Sequence, residues 1–398
     1  MIHNNPKILY SRFLKGHEGK LHFAAHSHHF WPDISRDAQL EYWDDCALLS
    51  DKKWSRIFET VVPKFQNHVA KMLNLKHPQQ IAFAPNTHEL ASRVLSLFAG
   101  KPRLKILSTT NEFHSWRRQL MRLEEMPQVD VILAPTDHFL EDRRGVIEGL
   151  KAEVKKDYDL LYLSHVFFDS GLCFTDLELT EIVSVASEKT IIVIDGYHAF
   201  GAIPTDLSKL EGRIFYLSGG YKYAQAGEGA CFLVVPKGSW RPLYTGWFAE
   251  HAHLSKPRGT QVGYAEDGMS FMGATQDPSG LYRFNAVWDL FAKETIAGIH
   301  DYVKSLQLAF IKDLSPEFIS HWQLRQLYEK ELTYHGHFLT FEAPSDEIAQ
   351  NCQTTLETAN ILIDRRGSRL RFGFGLYQNL NDVKELTTLL KRKGIPHQ

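Results

Sequence analysis

Four cysteines in 398 residues, Cys46, Cys173, Cys231 and Cys352, are too scattered for a disulfide framework or a cysteine-based metal site. They fit reduced thiols. No apolar run approaches the ~20 residues a membrane helix requires. The opening MIHNNPKILYSRFLKG lacks the apolar core of a signal peptide, so a soluble, cytoplasmic protein is expected. An excess of one charge is also missing. Lys+Arg total 45 against 47 Asp+Glu, for a formal net charge of −2, and no global basic field points to nucleic acid or a membrane surface. There is no internal repeat or low-complexity tract. The chain has no Gly-x-Ser-x-Gly elbow, no Walker A loop and no strand-linked Gly-x-Gly-x-x-Gly.

Length and apolar material are plentiful, and 43% hydrophobic content over this length predicts two domains. Apolar runs at 80–84, 104–107, 129–133, 160–163, 191–194, 214–217 and 231–235 alternate with helical stretches. This rhythm predicts an α/β fold whose mostly parallel seven-stranded sheet is covered by helices. Residues 1–30 read as irregular, and 33–74 carry two helical patterns. Residues 237–280 form a long excursion without period, 281–312 return to a helical period, and the remainder reads as a smaller α+β unit. The expected division is an N-terminal segment at 1–60 packing with the small domain, a large domain at 61–290 and a small C-terminal domain at 291–398.

The chemistry gathers between Ile191 and Gly229. The buried run IIVID ends in Asp195, His198 follows, and Lys222 lies inside Gly-Gly-Tyr-Lys-Tyr. An acid at the C-terminal end of a parallel strand faces the crevice where open α/β sheets bind ligands. Lys222, set among aromatics and glycines, is expected to be desolvated, which lowers a lysine pKa and makes the amine nucleophilic. An acid, a histidine and a lysine at neighbouring strand ends form the kit pyridoxal 5'-phosphate needs: a Schiff-base lysine and an acidic partner for the ring nitrogen.

Three further loops follow predicted strand ends. Asn86 and Thr87 open a helix whose N-terminus suits a phosphate, or simply cap it. Phe113 could stack on a planar ring with Ser115 near the phosphate, or be a core phenylalanine. Ser164 starts Ser-His-Val-Phe-Phe-Asp-Ser-Gly, in which cleft-facing and turn-forming roles are equally open. The cluster His26-Ser27-His28-His29 reads as a polar loop rather than a Zn site, since no compatible cysteine or carboxylate spacing accompanies it. No metal is expected.

The segments DGYHAFGAIPTDL, YKYAQAGEGA and GWF resemble kynureninase and its relatives, in the class V aminotransferase group of fold-type I pyridoxal-phosphate enzymes. The resemblance implies that Lys222 carries the cofactor, Tyr221 contacts its phosphate, and Asp195 pairs with the ring nitrogen supported by His198. It implies stacking by Phe113 and a kynureninase-like Ser164-His165-Val166. Trp247 would approach the phosphate, Thr275 would reach the phosphate of a partner subunit, and Arg371 of Leu-Arg-Phe would clamp the substrate carboxylate. The family pattern breaks at Phe167-Phe168, at Phe248-Ala249-Glu250 and at the histidine cluster. These positions, His28 and Phe167 among them, are expected on the substrate side. Desulfurase activity is not expected, because 363–369 is short and has no cysteine.

The resemblance implies a homodimeric enzyme on a small amino-acid substrate, with hydrolytic Cβ–Cγ cleavage releasing alanine. The alternative is an aminotransferase or another lyase of the same group. A binding or regulatory relative that kept only the scaffold is the contrasting class.

Overall fold

The computed structural model describes residues 5–253 and 260–393, so the stretch 254–259 of the predicted excursion lies outside the described residues. The central sheet contains β1 (Ile81–Ala84), β2 (Leu104–Thr109), β3 (Val129–Ala134), β4 (Leu160–Ser164), β5 (Ile191–Asp195), β6 (Phe215–Gly219) and β7 (Cys231–Val234). Their order is β1-β7-β6-β5-β4-β2-β3. β7 runs antiparallel to both neighbours, and every other pairing is parallel. β1, β4, β6 and β7 are buried at every residue, as expected of continuous apolar runs in a sheet covered on both faces. β7 reverses because the glycine-bearing connection from β6 contains no helix to carry a parallel crossover.

A second, antiparallel sheet joins Asp364–Arg366, Arg369–Gly373, Phe338–Glu342 and Arg325–Gln326 in that order. The N-terminal segment reaches this region. Leu21–His22 pairs in parallel with Ile361–Leu362, and Ala24 bridges Gly373.

Two local expectations need correction and a third is refined. Residues 1–30 contain a helix at Ser11–Gly16 and the short strand Leu21–His22. The helical period at 281–312 divides into Ser279–Leu290 and Ile296–Asp313, because Thr295 caps a new helix by accepting from the Gly298 N–H. The histidine cluster is no polar loop: His26 and His29 are fully buried. His29 Nδ1 lies 2.6 Å from the Phe30 carbonyl. Among the described residues no group of three His, Cys, Asp or Glu side chains could hold a metal ion, and no helix is long and apolar enough to cross a membrane.

Candidate active site

The register of the large sheet assembles the site. Ser164 pairs with Asp195, and Asp195 with Leu217, so the C-terminal ends of β4, β5 and β6 lie side by side with Lys222 just past β6. Two glycines permit the close approach. A Cβ on Gly196 would lie 1.9 Å from the Tyr216 hydroxyl. Gly227 has φ +70°, and a Cβ there would meet the Trp31 ring at 2.5 Å.

These strand ends face a cavity of about 440 Å³. Asn86, Thr87, Phe113, Ser115, Ser164, Asp195, His198, Tyr221, Lys222 and Arg371 all line it, so most of the residues singled out in the sequence meet in one place. Lys222 is buried. Burial, followed by the Arg371 charge, takes its amine down to about 7 while Asp195 pulls the other way. Its Nζ shares a hydrogen bond with His198 Nε2 and lies 5.7 Å from the centre of the Phe113 ring.

Asp195 is held differently from the expectation. Its Oδ2 accepts from the Tyr162 hydroxyl at 2.9 Å, and its Oδ1 accepts from the Tyr197 backbone N–H at 2.9 Å. His198 instead serves Lys222. Burial raises the Asp195 carboxyl and drives His198 well below its ordinary value, so the imidazole is neutral. Tyr162 was missed because its role depends on stacking against Trp116 at 3.9 Å, a contact between a strand and a distant helix.

Glu112 was also missed. It accepts from the Ser164 hydroxyl at 2.6 Å and from Thr109 at 2.6 Å, and burial raises it to about 7. The available signal was an acid inside Thr-Thr-Asn-Glu-Phe-His at a strand mouth. Its folded pKa lies above the reference 4.5, so the native state holds the extra proton. That stability is complete below the unfolded pKa and is lost as pH rises through about 7. Glu112→Gln should therefore flatten the pH profile and gain on the order of 2 kcal/mol at alkaline pH. Denaturation midpoints measured on either side of neutrality check this; parallel profiles for variant and wild type would refute it.

Three residues expected at this cavity lie elsewhere, and Thr275, expected at the phosphate of a partner subunit, is also off its wall. Phe167 belongs to the core with Phe139 and Phe174, and its neighbour Phe168, in the turn past the strand end, lines the cavity. His28 stands behind the wall, its Nδ1 3.3 Å from the Tyr221 hydroxyl, while His26 lines the cavity. Trp247 is not on the cavity wall; its Nε1 donates to Thr275 Oγ1 at 3.1 Å. Thr275 borders a separate surface pocket with Arg93 and Gly273.

The described residues fit pyridoxal phosphate. A desolvated amine and a carboxylate share the cavity, with Phe113 beside the amine. Two helix N-termini, Thr87–Leu95 and His114–Glu124, open onto it, and the second has no side-chain cap, which leaves N–H groups for an anion. Asn86 spends its Oδ1 on the Glu89 N–H. Arg371 is fully buried, and its guanidinium donates to Asp364 and to the Phe168 carbonyl.

No curated protein matches this chain in sequence. Among solved structures, it is similar to the cystine C–S lyase C-DES in complex with its product cysteine persulfide, at TM-score 0.81 and 16% identity, covering 96% of this chain and 100% of that one. A mutant of C-DES with glycine covalently linked to the PLP cofactor gives TM-score 0.81 at 16% identity, over 95% and 97% of the two chains. The cysteine desulfurase of Thermococcus onnurineus gives TM-score 0.79 at 16% identity, over 98% of each chain. At such identities the likeness is one of fold. The sequence pattern of aminotransferase class-V matches residues 50–386, and the chain therefore belongs to the class V aminotransferase family of pyridoxal-phosphate enzymes.

Proposed function

We propose that the chain acts on an α-amino acid by kynureninase-like chemistry, hydrolysing a Cβ–Cγ bond and releasing alanine. The observation that carries the amino-acid reading is the placement of Lys222, Asp195 and Arg371 around one cavity. Pyridoxal phosphate, when bound, supplies the electron sink that stabilises negative charge at the substrate Cα.

The protein's own groups do the rest. Lys222, poised near neutrality, would hold the cofactor and would take and return the substrate Cα proton. His198, neutral, keeps the Lys222 amine oriented. Asp195, fixed by Tyr162 and the Tyr197 N–H, would hold the cofactor at its ring nitrogen, where a cationic partner would favour the ionised carboxyl. Thr87, Ser115 and Tyr221 would hold the phosphate, and Phe113 would cover a ring face. Arg371 receives the substrate carboxylate on the outer N–H groups of its fork. Trp247 and Thr275, paired outside the cavity, would serve the phosphate of a partner subunit in a homodimer.

C–S bond cleavage is the second reading, favoured by the fold shared with C-DES over nearly the whole chain. Cysteine-based persulfide transfer is disfavoured here. Cys231 is the cysteine on the cavity wall, and burial pushes its thiol up to about 12, leaving little thiolate. Purified protein loaded with the cofactor is offered kynurenine and cystine separately. Alanine release from kynurenine supports the first reading, and sulfur release from cystine supports the second. A wild type that binds no cofactor ends both.

A further inference from the structure

The substrate side of the cavity is lined by two arginines that share one aspartate, Asp364, and the division of their charges reaches beyond the roles above while resting on the amino-acid reading. Arg371 directs Nε and Nη2 to a single oxygen of Asp364, Oδ2, with Nε 2.9 Å away. The other oxygen, Oδ1, faces Arg366 Nη2 at 3.3 Å. Arg366 ends the strand Asp364–Arg366, lines the cavity and keeps 44% of its side chain exposed. After burial, its charge is among the causes that lower both Lys222 and His114, so its field reaches the reaction centre.

His26 is the third member. It is fully buried on the cavity wall, and neither ring nitrogen has a hydrogen-bond partner. Its ring stacks on Phe338 at 4.6 Å, and its Nε2 stands 3.6 Å from Asp364 Oδ2. Burial and the nearby Arg371 take it down to about 3, so the ring is a neutral donor–acceptor. Burial would raise Asp364, but His26 and Arg371 hold it well below the usual carboxylate range.

Arg371 and Arg366 against Asp364 leave one positive charge on this wall. A single substrate carboxylate balances it. A second acid, or a cationic side chain, would leave an unmatched charge beside Phe113, Val166 and Phe168, and an unpaired charge in such surroundings is costly. Glu228 also lines the cavity, but at the Tyr221 end. We infer that Arg366 and Asp364 complete the carboxylate site begun by Arg371, and that with His26 they restrict the substrate to amino acids with one carboxylate and an uncharged, hydrogen-bonding side chain.

The test is a titration of the cofactor-loaded protein with glutamine, glutamate and lysine at fixed ionic strength, read from the cofactor absorption. Glutamine should bind about tenfold or more tightly than either charged amino acid. Asp364→Asn leaves the wall with an extra positive charge and should narrow the glutamine–glutamate gap by about tenfold. Arg366→Gln, on an exposed strand end, should weaken glutamine by about tenfold and leave the cofactor band and thermal unfolding unchanged; it carries the test should Asp364→Asn fail to fold. Equal wild-type affinities for glutamine and glutamate, or unaltered glutamine binding in Arg366→Gln, overturn the inference while a coloured protein leaves the parent reading standing. A colourless wild type overturns both.

Discussion

Lys222→Ala should yield colourless protein beside a coloured wild type, with turnover reduced on the order of 10³–10⁴-fold. The expectation follows from burial. An amine kept at about 7 is largely free base just above neutrality, ready to attack a carbonyl, whereas an ordinary lysine is almost wholly protonated there. Borohydride should fix cofactor to wild type and not to the variant. Lys222→Arg separates charge from nucleophilicity, since a guanidinium keeps the charge and forms no imine, so it too should be colourless. Thermal unfolding of the alanine variant should stay close to wild type, because deleting a desolvated amine removes an electrostatic penalty along with a hydrogen bond to His198. A coloured, borohydride-sensitive Lys222→Ala protein would sink the assignment.

Asp195→Asn should keep the colour and lose the rate, by roughly 10²–10³-fold. The amide preserves the shape and can still accept from Tyr162 or from the Tyr197 N–H. It cannot hold a proton on the ring nitrogen as a carboxylate does, so the charge developing at the substrate loses its sink. The two variants thus part in their readouts: one abolishes attachment, the other leaves attachment and slows turnover. Equal turnover in Asp195→Asn and wild type would remove Asp195 from the mechanism. A lesser loss in Tyr162→Phe than in Asp195→Asn is consistent with a residue that acts only by steadying the acid.

The large sheet was legible in the sequence because each strand is a short apolar run bounded by turn residues, and burial on both faces leaves no other use for such runs. The line from Ser164 through Asp195 to Lys222 was legible for the same reason, since strand ends place their polar residues at one edge. What escaped depends on contacts across the chain. The choice between Phe167 and Phe168 turns on which side of the chain faces the cavity just past a strand end, where the two-residue period no longer applies. Assigning His28 rather than His26 to the cavity reflects the pairing of Ala24 with Gly373, which no local pattern reveals. Asp364 and Glu112 read as ordinary loop acids until Arg371 and Ser164 are brought against them.

The pairing of Leu21–His22 with Ile361–Leu362 has a consequence for how the polypeptide matures on the ribosome. The large sheet draws on strands between Ile81 and Val234 and can begin to assemble before synthesis ends. Leu21 and His22 must wait for Ile361 and Leu362 to emerge before they find their strand partner, and so large a sequence separation is slow to close. The nascent enzyme would be able to capture its cofactor earlier than it could recognise anything to act upon.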